Sequence, residues 1–462
     1  MHVIEKQLLE LISTFTHKRL FIAYSGGVDS QVLLHALVKI LNLKAQAVNP
    51  MAITVCHIHH GLSPNADSWL DFAMCESKKL DVKFLTERVV VSKQTGKGIE
   101  ANAREARYQA LIKMTEPGDL ILTGHHQDDQ LETMLLALKR GAGLKGLSAM
   151  DSQRYLSNRL LVRPLLNISR HQIELYAHDN DLTWIEDESN VETKFDRNFL
   201  RQKVIPLLKN RWPSITATFS RSAEHCRDAE NLLLEVADQD FSQCCVEDDC
   251  FSIDSLLALS KSRFNNLIRY FLEQNHCIMP SSEQLSQLHL QLAAADDKNP
   301  AVKVGQYYLR RFKGRLFLTA DFEDVSEWQT DLLLAKTSSK VVLPNKLGKV
   351  NCVITTANEV DENSQYLKLP KPGQKITISF THTNPKCLPD YRQHSRSLKK
   401  VLQELAIPPW QRKRIPFLYY DDTLVAAVGL FVCQAYMANS KKHPLSQKIE
   451  TTEPSVKITW AQ

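Results

Sequence analysis

Read for its alternation of apolar and polar positions, the chain falls into two regimes. Up to about residue 208, short apolar runs alternate with amphipathic stretches at helical spacing. Residues 20–24 predict a buried strand, and a helix follows from about 29 to 41. Strands over 52–58, 82–90 and 120–123 alternate with helices over 64–80, 98–115 and about 128–140. Such βαβα alternation predicts a parallel sheet with helices on both faces, and ligands beyond the carboxyl ends of its strands. After Trp212-Pro213 the alternation stops. Helices are predicted over 215–239, 254–276 and 281–294, then a hairpin over 302–319 that turns at Lys313-Gly314. A polar linker over 326–340 leads to short strands, Pro/Gly turns and one helix at 397–405. The expected organisation is a parallel-sheet α/β domain over 1–214, a mostly helical middle domain over 215–330 and a small α+β domain over 341–462.

Composition adds a compartment. With 43% hydrophobic and 24% charged residues the chain is of the soluble globular class, and no apolar run approaches a membrane span. Residues 1–20 carry Glu5 and Lys6 where a leader peptide would be apolar. Ten cysteines are scattered without a framework, as expected of a reducing cytoplasm. The one cluster, Cys244, Cys245 and Cys250, lies in an acidic stretch read as a loop; it has no CxxC pair and no histidine at ligand spacing to favour zinc.

Charge changes the picture more. The net +5 conceals an asymmetry: residues 331–462 hold 19 Lys and Arg against 10 Asp and Glu, leaving 38 against 42 for residues 1–330. A basic terminal part on an acidic remainder points to a polyanionic partner such as RNA. Arg412, Lys413 and Arg414, next to Trp410, are the expected contacts there; solvated charges around a core tryptophan are the plainer alternative.

Candidate chemistry concentrates at three predicted strand ends. After the first strand comes Ser25-Gly26-Gly27-Val28-Asp29-Ser30. A strand, a glycine turn and a helix start aim several N–H groups and the helix dipole at one point, which suits phosphate. Ser25 and Ser30 add hydroxyl donors, and Asp29 can hold magnesium or orient a substrate. After the second strand, His57, His59, His60 and Gly61 end in a turn, with His60 placed to line a nucleotide pocket. After the strand at 120–123, Gly124-His125-His126-Gln127-Asp128-Asp129 opens a helix on which Asp129 and Glu132 share one face. That pair can hold an ammonium group, bind magnesium or accept a proton. Glu100, Arg104, Arg107 and Tyr108 share a helix face, where the arginines form either a phosphate-binding pair or, with Glu100, an exposed i,i+4 salt bridge.

The first block resembles the SGGxDS loop of the N-type ATP pyrophosphatases, which split ATP into AMP and pyrophosphate. Together with HxHHGL and GHHxDDQxET, followed by Arg140-Gly141-Ala142-Gly143-Leu144-Lys145-Gly146-Leu147, it resembles the tRNA(Ile)-lysidine synthetase family. The match runs on through Arg163-Pro164-Leu165-Leu166, Asp187-Glu188-Ser189-Asn190 and Arg197-Asn198-Phe199-Leu200-Arg201, and resumes at Leu398-Lys399-Lys400, Gln403-Glu404, Pro409-Trp410, Arg412 and Pro416. The resemblance implies ATP and Mg2+ as cofactors, an isoleucine tRNA with a CAU anticodon as partner and free L-lysine as nucleophile. It implies an adenylated wobble cytidine, with AMP and pyrophosphate released and decoding switched from AUG to AUA. Asp29, Asp129 and Glu132 would then be catalytic, Asp29 and Asp129 the metal ligands. Ser25–Ser30, His60 and Gly124 would bind nucleotide, and Arg104, Arg107 and Arg197 the other substrates. A tRNA thiolase would need cysteines near the loop, and an amide-forming synthetase a glutaminase domain; neither is expected here. A homodimer is compatible with the sequence and not required by it.

Overall fold

The computed structural model describes residues 1–15, 19–44, 52–61, 63–91, 99–247, 250–294, 301–334, 338–355, 364–438, 440–442, 449–451 and 454–461. The chain divides into two compact units, Met1–Asp238 and Gln239–Gln462. No helix among the described residues is long and apolar enough to cross a membrane.

In the first unit, helix α1 (Val3–Thr14) precedes strand β1 (Leu20–Ala23), which feeds α2 (Val28–Lys44). The expected alternation continues through β2 (Ile53–His59), α3 (Ala66–Lys79), β3 (Lys83–Arg88), α4 (Ile99–Met114), β4 (Leu120–Thr123) and α5 (Gln127–Lys139). A short helix α6 (Leu144–Leu147), strands β5 (Gln153–Leu156) and β6 (Arg159–Val162), and helix α7 (Arg170–Asp179) come next. The six strands lie in the order β3-β2-β1-β4-β6-β5, parallel except for the antiparallel edge strand β5. Side chains alternate across the sheet. Leu20 and Ile22 face a layer with Ile4, Leu8, Leu34 and Tyr176, while Phe21 faces Ile58, Leu111 and Leu161 on the other side.

Strand order reverses at β1, because the chain goes outward to β3 and then returns to the opposite side as β4. The crevice of such a sheet opens between β1 and β4, at their carboxyl ends. There Ala23 pairs with Thr123, so both glycine-bearing turns begin side by side.

The second unit has more strand than its apolar pattern suggests. Helices Ile253–Ala258, Lys261–Gln274 and Ser282–Ala293 pack Phe264, Leu267, Phe271 and Leu288 against Phe251, Leu309 and Leu316 of a five-stranded sheet. The hairpin Tyr307–Phe312 and Arg315–Ala320 turns at Lys313-Gly314 as expected. Cys245–Glu247 and Cys250–Ser252 pair as short strands, correcting the loop expected around the cysteine cluster. Beyond lie a five-stranded and a four-stranded antiparallel sheet. The linker expected over 326–340 is also corrected. Gln329–Asp331 pairs with Ile376–Ser379, and Trp328 and Leu332 pack into the adjoining core. Residues 335–337 of that stretch lie outside the described residues.

One approach fixes the crevice. A Cβ on Gly124 would stand 2.9 Å from the carbonyl carbon of Asp29, 3.0 Å from its oxygen and 3.1 Å from the Ser30 nitrogen. These are backbone atoms of the first turn of α2 and cannot step aside. Gly124→Ala is therefore expected to cost about 1–3 kcal/mol and to lower Tm by several degrees in calorimetry. Gly27→Ala, whose Cβ would meet nothing closer than Ser25 Oγ at 3.5 Å, is expected to leave Tm unchanged.

Candidate active site

The turn from β1 into α2 is held open by its own hydroxyls. Ser30 Oγ donates to the Gly27 carbonyl at 3.0 Å and lies 3.2 Å from Ser25 Oγ. Gly26 has φ +86°, which favours glycine, a Cβ there would meet Ile185 Cδ1 at 2.5 Å, and its carbonyl receives the Ile185 N–H at 2.9 Å. Packing does not demand glycine at 27, whereas an anion approaching that backbone would. With the α2 N-terminus behind it, the turn suits phosphate. Val28 is a core residue, 2% exposed, so only its backbone faces this cradle.

Four acids surround the crevice, and each carries a basic partner. Arg170 on α7 donates from Nη1 to both carboxylate oxygens of Asp29, at 3.1 and 3.0 Å. Asp128 accepts the Arg170 backbone N–H at 3.0 Å, capping α7, and pairs with Lys209. Asp129 accepts the His126 N–H at 3.0 Å and lies 3.4 Å from Arg201 Nη2. Glu132, 1% exposed, takes two hydrogen bonds from Arg201, from Nε at 2.7 Å and Nη2 at 2.9 Å. Burial lifts the Glu132 carboxyl above its ordinary pKa, against the pull of Arg201. Burial also opposes ionisation of Asp129, but His126, through its ring and its backbone N–H, and Arg201 outweigh it and hold that carboxyl low. Asp29 is raised by burial, with His126 and Arg170 opposing.

Asp129 and Glu132 share a helix face, as expected, and Arg201 spans both. Arg197 also turns inward, with Nε 3.6 Å from Glu132 and Nη2 bonded to Thr133 Oγ1 at 3.3 Å. The buried His126 ring sits between the acids, its Nε2 3.6 Å from Asp29 and 3.6 Å from Asp129. Both carboxylates thus face one point.

Neutral histidines and arginines make the rim. Burial pushes His60 down to about 4, helped by Arg107, and its Nδ1 is buried without a hydrogen-bond partner. His125 is pushed down to about 3 by burial, with Arg163, Arg104 and Arg107 acting against Asp129. Both rings are uncharged at neutral pH. Arg104 stacks on Tyr108 and Arg107 is exposed, so α4 presents both near the same strand ends. His57 is instead bonded to the Tyr24 carbonyl at 3.2 Å.

In the second unit, two of the three expected RNA contacts are committed to the fold. Arg412 donates to the Ile407 carbonyl at 2.8 Å, and Arg414 donates to Asn345 and stacks on Phe322. Only Lys413 of the three is exposed. Trp410 meets Phe312 and Phe317 edge-on, which favours the packing role. Sequence reasoning missed Arg170, and it read Arg201 only as the end of the Arg197–Arg201 match, without a place at the acids. For Arg201 a signal existed, since it stands four residues after Arg197 in the same helical stretch. For Arg170 none did, because only the tertiary packing of α7 brings it to Asp29.

The comparisons with known proteins bear on this site. Residues 1–208 match a PP-loop domain, 251–317 a TilS substrate binding domain and 376–449 a TilS substrate C-terminal domain. The tRNA(Ile)-lysidine synthase of Serratia proteamaculans (strain 568) is 41% identical over 93% of this chain and 94% of its own length. That of Proteus mirabilis (strain HI4320) is 41% identical over 96% of each chain, and that of Histophilus somni (strain 129Pt) 38% over 92% and 98%. With a glycine turn and an acid pair meeting at one switch point, and relatives matched at 41% identity along nearly its whole length, this chain is a member of the tRNA(Ile)-lysidine synthase family.

Proposed function

We propose that this chain converts the wobble cytidine of an isoleucine tRNA with a CAU anticodon to lysidine, using ATP and free L-lysine. The observation that carries the reading is the pair Asp129 and Glu132, one helical turn apart at the start of α5, beside the phosphate cradle that follows β1. Family membership supports ATP use and a tRNA substrate.

The chemistry needs two steps. The C2 oxygen of cytosine is a poor leaving group until it attacks the α-phosphorus of ATP, which forms a C2–O–P link and expels pyrophosphate. The N–H groups and hydroxyls of Ser25–Ser30 receive that pyrophosphate. The side-chain amine of lysine then attacks C2, and AMP leaves with the original oxygen. At an unperturbed pKa of about 10.4, only about one lysine in two thousand is neutral at pH 7. A carboxylate must therefore bind the ammonium and take its proton, the role we assign to Asp129 and Glu132. Because Arg201 already occupies both, the ammonium exchanges for part of that pairing rather than entering a vacant site.

Asp29 and Asp129, which converge on His126, fit Mg2+, an ion that binds through one or two carboxylates plus substrate phosphates. Bound there, the ion would neutralise charge on the phosphates. The neutral His60, with its unpartnered Nδ1, suits a nucleobase edge at the rim.

Three outcomes test the reading. Pyrophosphate release should require both tRNA and ATP, and stable lysidine should appear only when lysine is added; lysine-independent turnover to a sulfur-containing base would point elsewhere. Asp29→Asn should slow adenylation about a hundredfold or more while tRNA affinity, measured by filter binding, stays near normal. Glu132→Gln should raise the lysine requirement at least about tenfold while adenylated tRNA still forms and accumulates in single-turnover assays. Loss of the first step in that variant would assign Glu132 to the metal or the fold instead.

A further inference from the structure

The first unit contains a group of arginines that the chemistry above does not use. Tyr108 on α4 lies between two guanidinium groups, with Arg154 Cζ 4.5 Å and Arg104 Cζ 5.3 Å from its ring centroid. Arg163, just beyond β6, is 3% exposed. Burial lowers its pKa, and Arg154 and Arg104 lower it further while Tyr108 opposes them. Arg19, Arg88, Arg170, Arg201 and Arg227 of the same unit all pair with carboxylates. Arg104, Arg154 and Arg163 pair with none among the described residues. Asp151 gives Arg163 only its carbonyl, since its carboxylate is held by Arg227. Nε of Arg154 and Nε of Arg163 are both buried and have no hydrogen-bond partner.

Gathering like charges and burying their donors without acceptors is unfavourable unless an anion completes the arrangement. The location says which kind. Arg163 follows the carboxyl end of β6, and Arg154 stands opposite Leu161 on β5, the outermost strand. Three strand spacings, about 14 Å, separate β5 from β1, where a triphosphate would already be cradled. An edge strand is reached by a polymer more readily than by a nucleotide held at the sheet centre.

We propose that Arg104, Arg154 and Arg163, arranged around Tyr108, form a second anion site that holds a backbone phosphodiester of the substrate RNA close to the reacting base. The proposal rests on the reading of function above, and it adds a positioning site to it. Guanidinium forks suit the two free oxygens of a phosphodiester, and Tyr108 keeps two of the forks stacked in place. Such a contact carries no base information; it sets register, so that the cytidine arrives at the crevice between β1 and β4.

Arg154 is the residue to change, since its side chain makes no hydrogen bond within the described residues. Binding of the tRNA by the unaltered protein, measured first, tests the reading of function itself; the variants test the site. Arg154→Ala should weaken tRNA binding about tenfold and reduce the slope of log K against log salt by about 1. Arg154→Lys should recover much of the salt slope, and ATP affinity without tRNA should not move in either. A thermal scan detects any loss through unfolding, in which case Arg154→Gln, which keeps the stem, replaces the alanine variant. Unchanged tRNA affinity and salt slope in both Arg154→Ala and the Arg104→Ala/Arg154→Ala double variant would overturn the proposal. So would a fall in ATP affinity with tRNA binding intact, which would give the cluster to the triphosphate.

Discussion

Two turns from distant parts of the sequence touch backbone to backbone at the centre of the first unit, and only a residue without a side chain permits it. Gly124 lies against the first peptide of α2. Because β1 and β4 are neighbours in the sheet, this contact brings the phosphate cradle and the acid-bearing start of α5 to one point. The glycine turn after β1, the two carboxylates of α5 and the rim of neutral histidines are positioned from there. The parallel sheet supplies the frame, and the apolar layers on its two faces hold α2 on one side and α4 on the other.

Electrostatics then determine what state the acids wait in. Each of the four is buried or half-buried, which disfavours its charge, and each is given a cation or a backbone donor in compensation. Arg201 serves two of them. Removing Arg201 would strand the buried Glu132 carboxylate; a fully buried pair would cost about 3–5 kcal/mol, and the partial exposure of Arg201 lowers that figure. A ligand that displaces the guanidinium must bring positive charge of its own.

Much of this was legible in the chain. The β1 strand, its glycine turn and the βα alternation follow from apolar spacing and small residues, and the shared face of Asp129 and Glu132 follows from helical geometry. The hairpin at Lys313-Gly314 was legible for the same reason. What the pattern did not carry is pairing between distant charges. Nothing near Arg170 announces Asp29, and clustered charge at Arg412–Arg414 does not reveal that carbonyls and Asn345 already hold two of the three. Short edge strands such as Gln329–Asp331 escaped as well, because three residues of mixed polarity look like a linker until a partner strand lies beside them.

The helical stretch that carries Arg201 has a further consequence. Leu200–Val204 forms a π-helical turn in which the Ile205 N–H reaches back five residues to the Leu200 carbonyl, and Pro206 comes at once after it. Proline lacks the N–H that an ordinary α-helical ladder would need here, and its ring would crowd the carbonyl four residues earlier, so the wider turn relieves both. Each residue of an α-helix advances about 100° around the axis, so the extra residue in this turn sets the direction of the segment before it relative to helix Ile205–Arg211. The guanidinium that guards Glu132 thus stands in a turn widened just before a residue that lacks an N–H, five positions further along the chain. A change at position 206 would act on the Arg201–Glu132 pairing while leaving every side chain of the crevice intact.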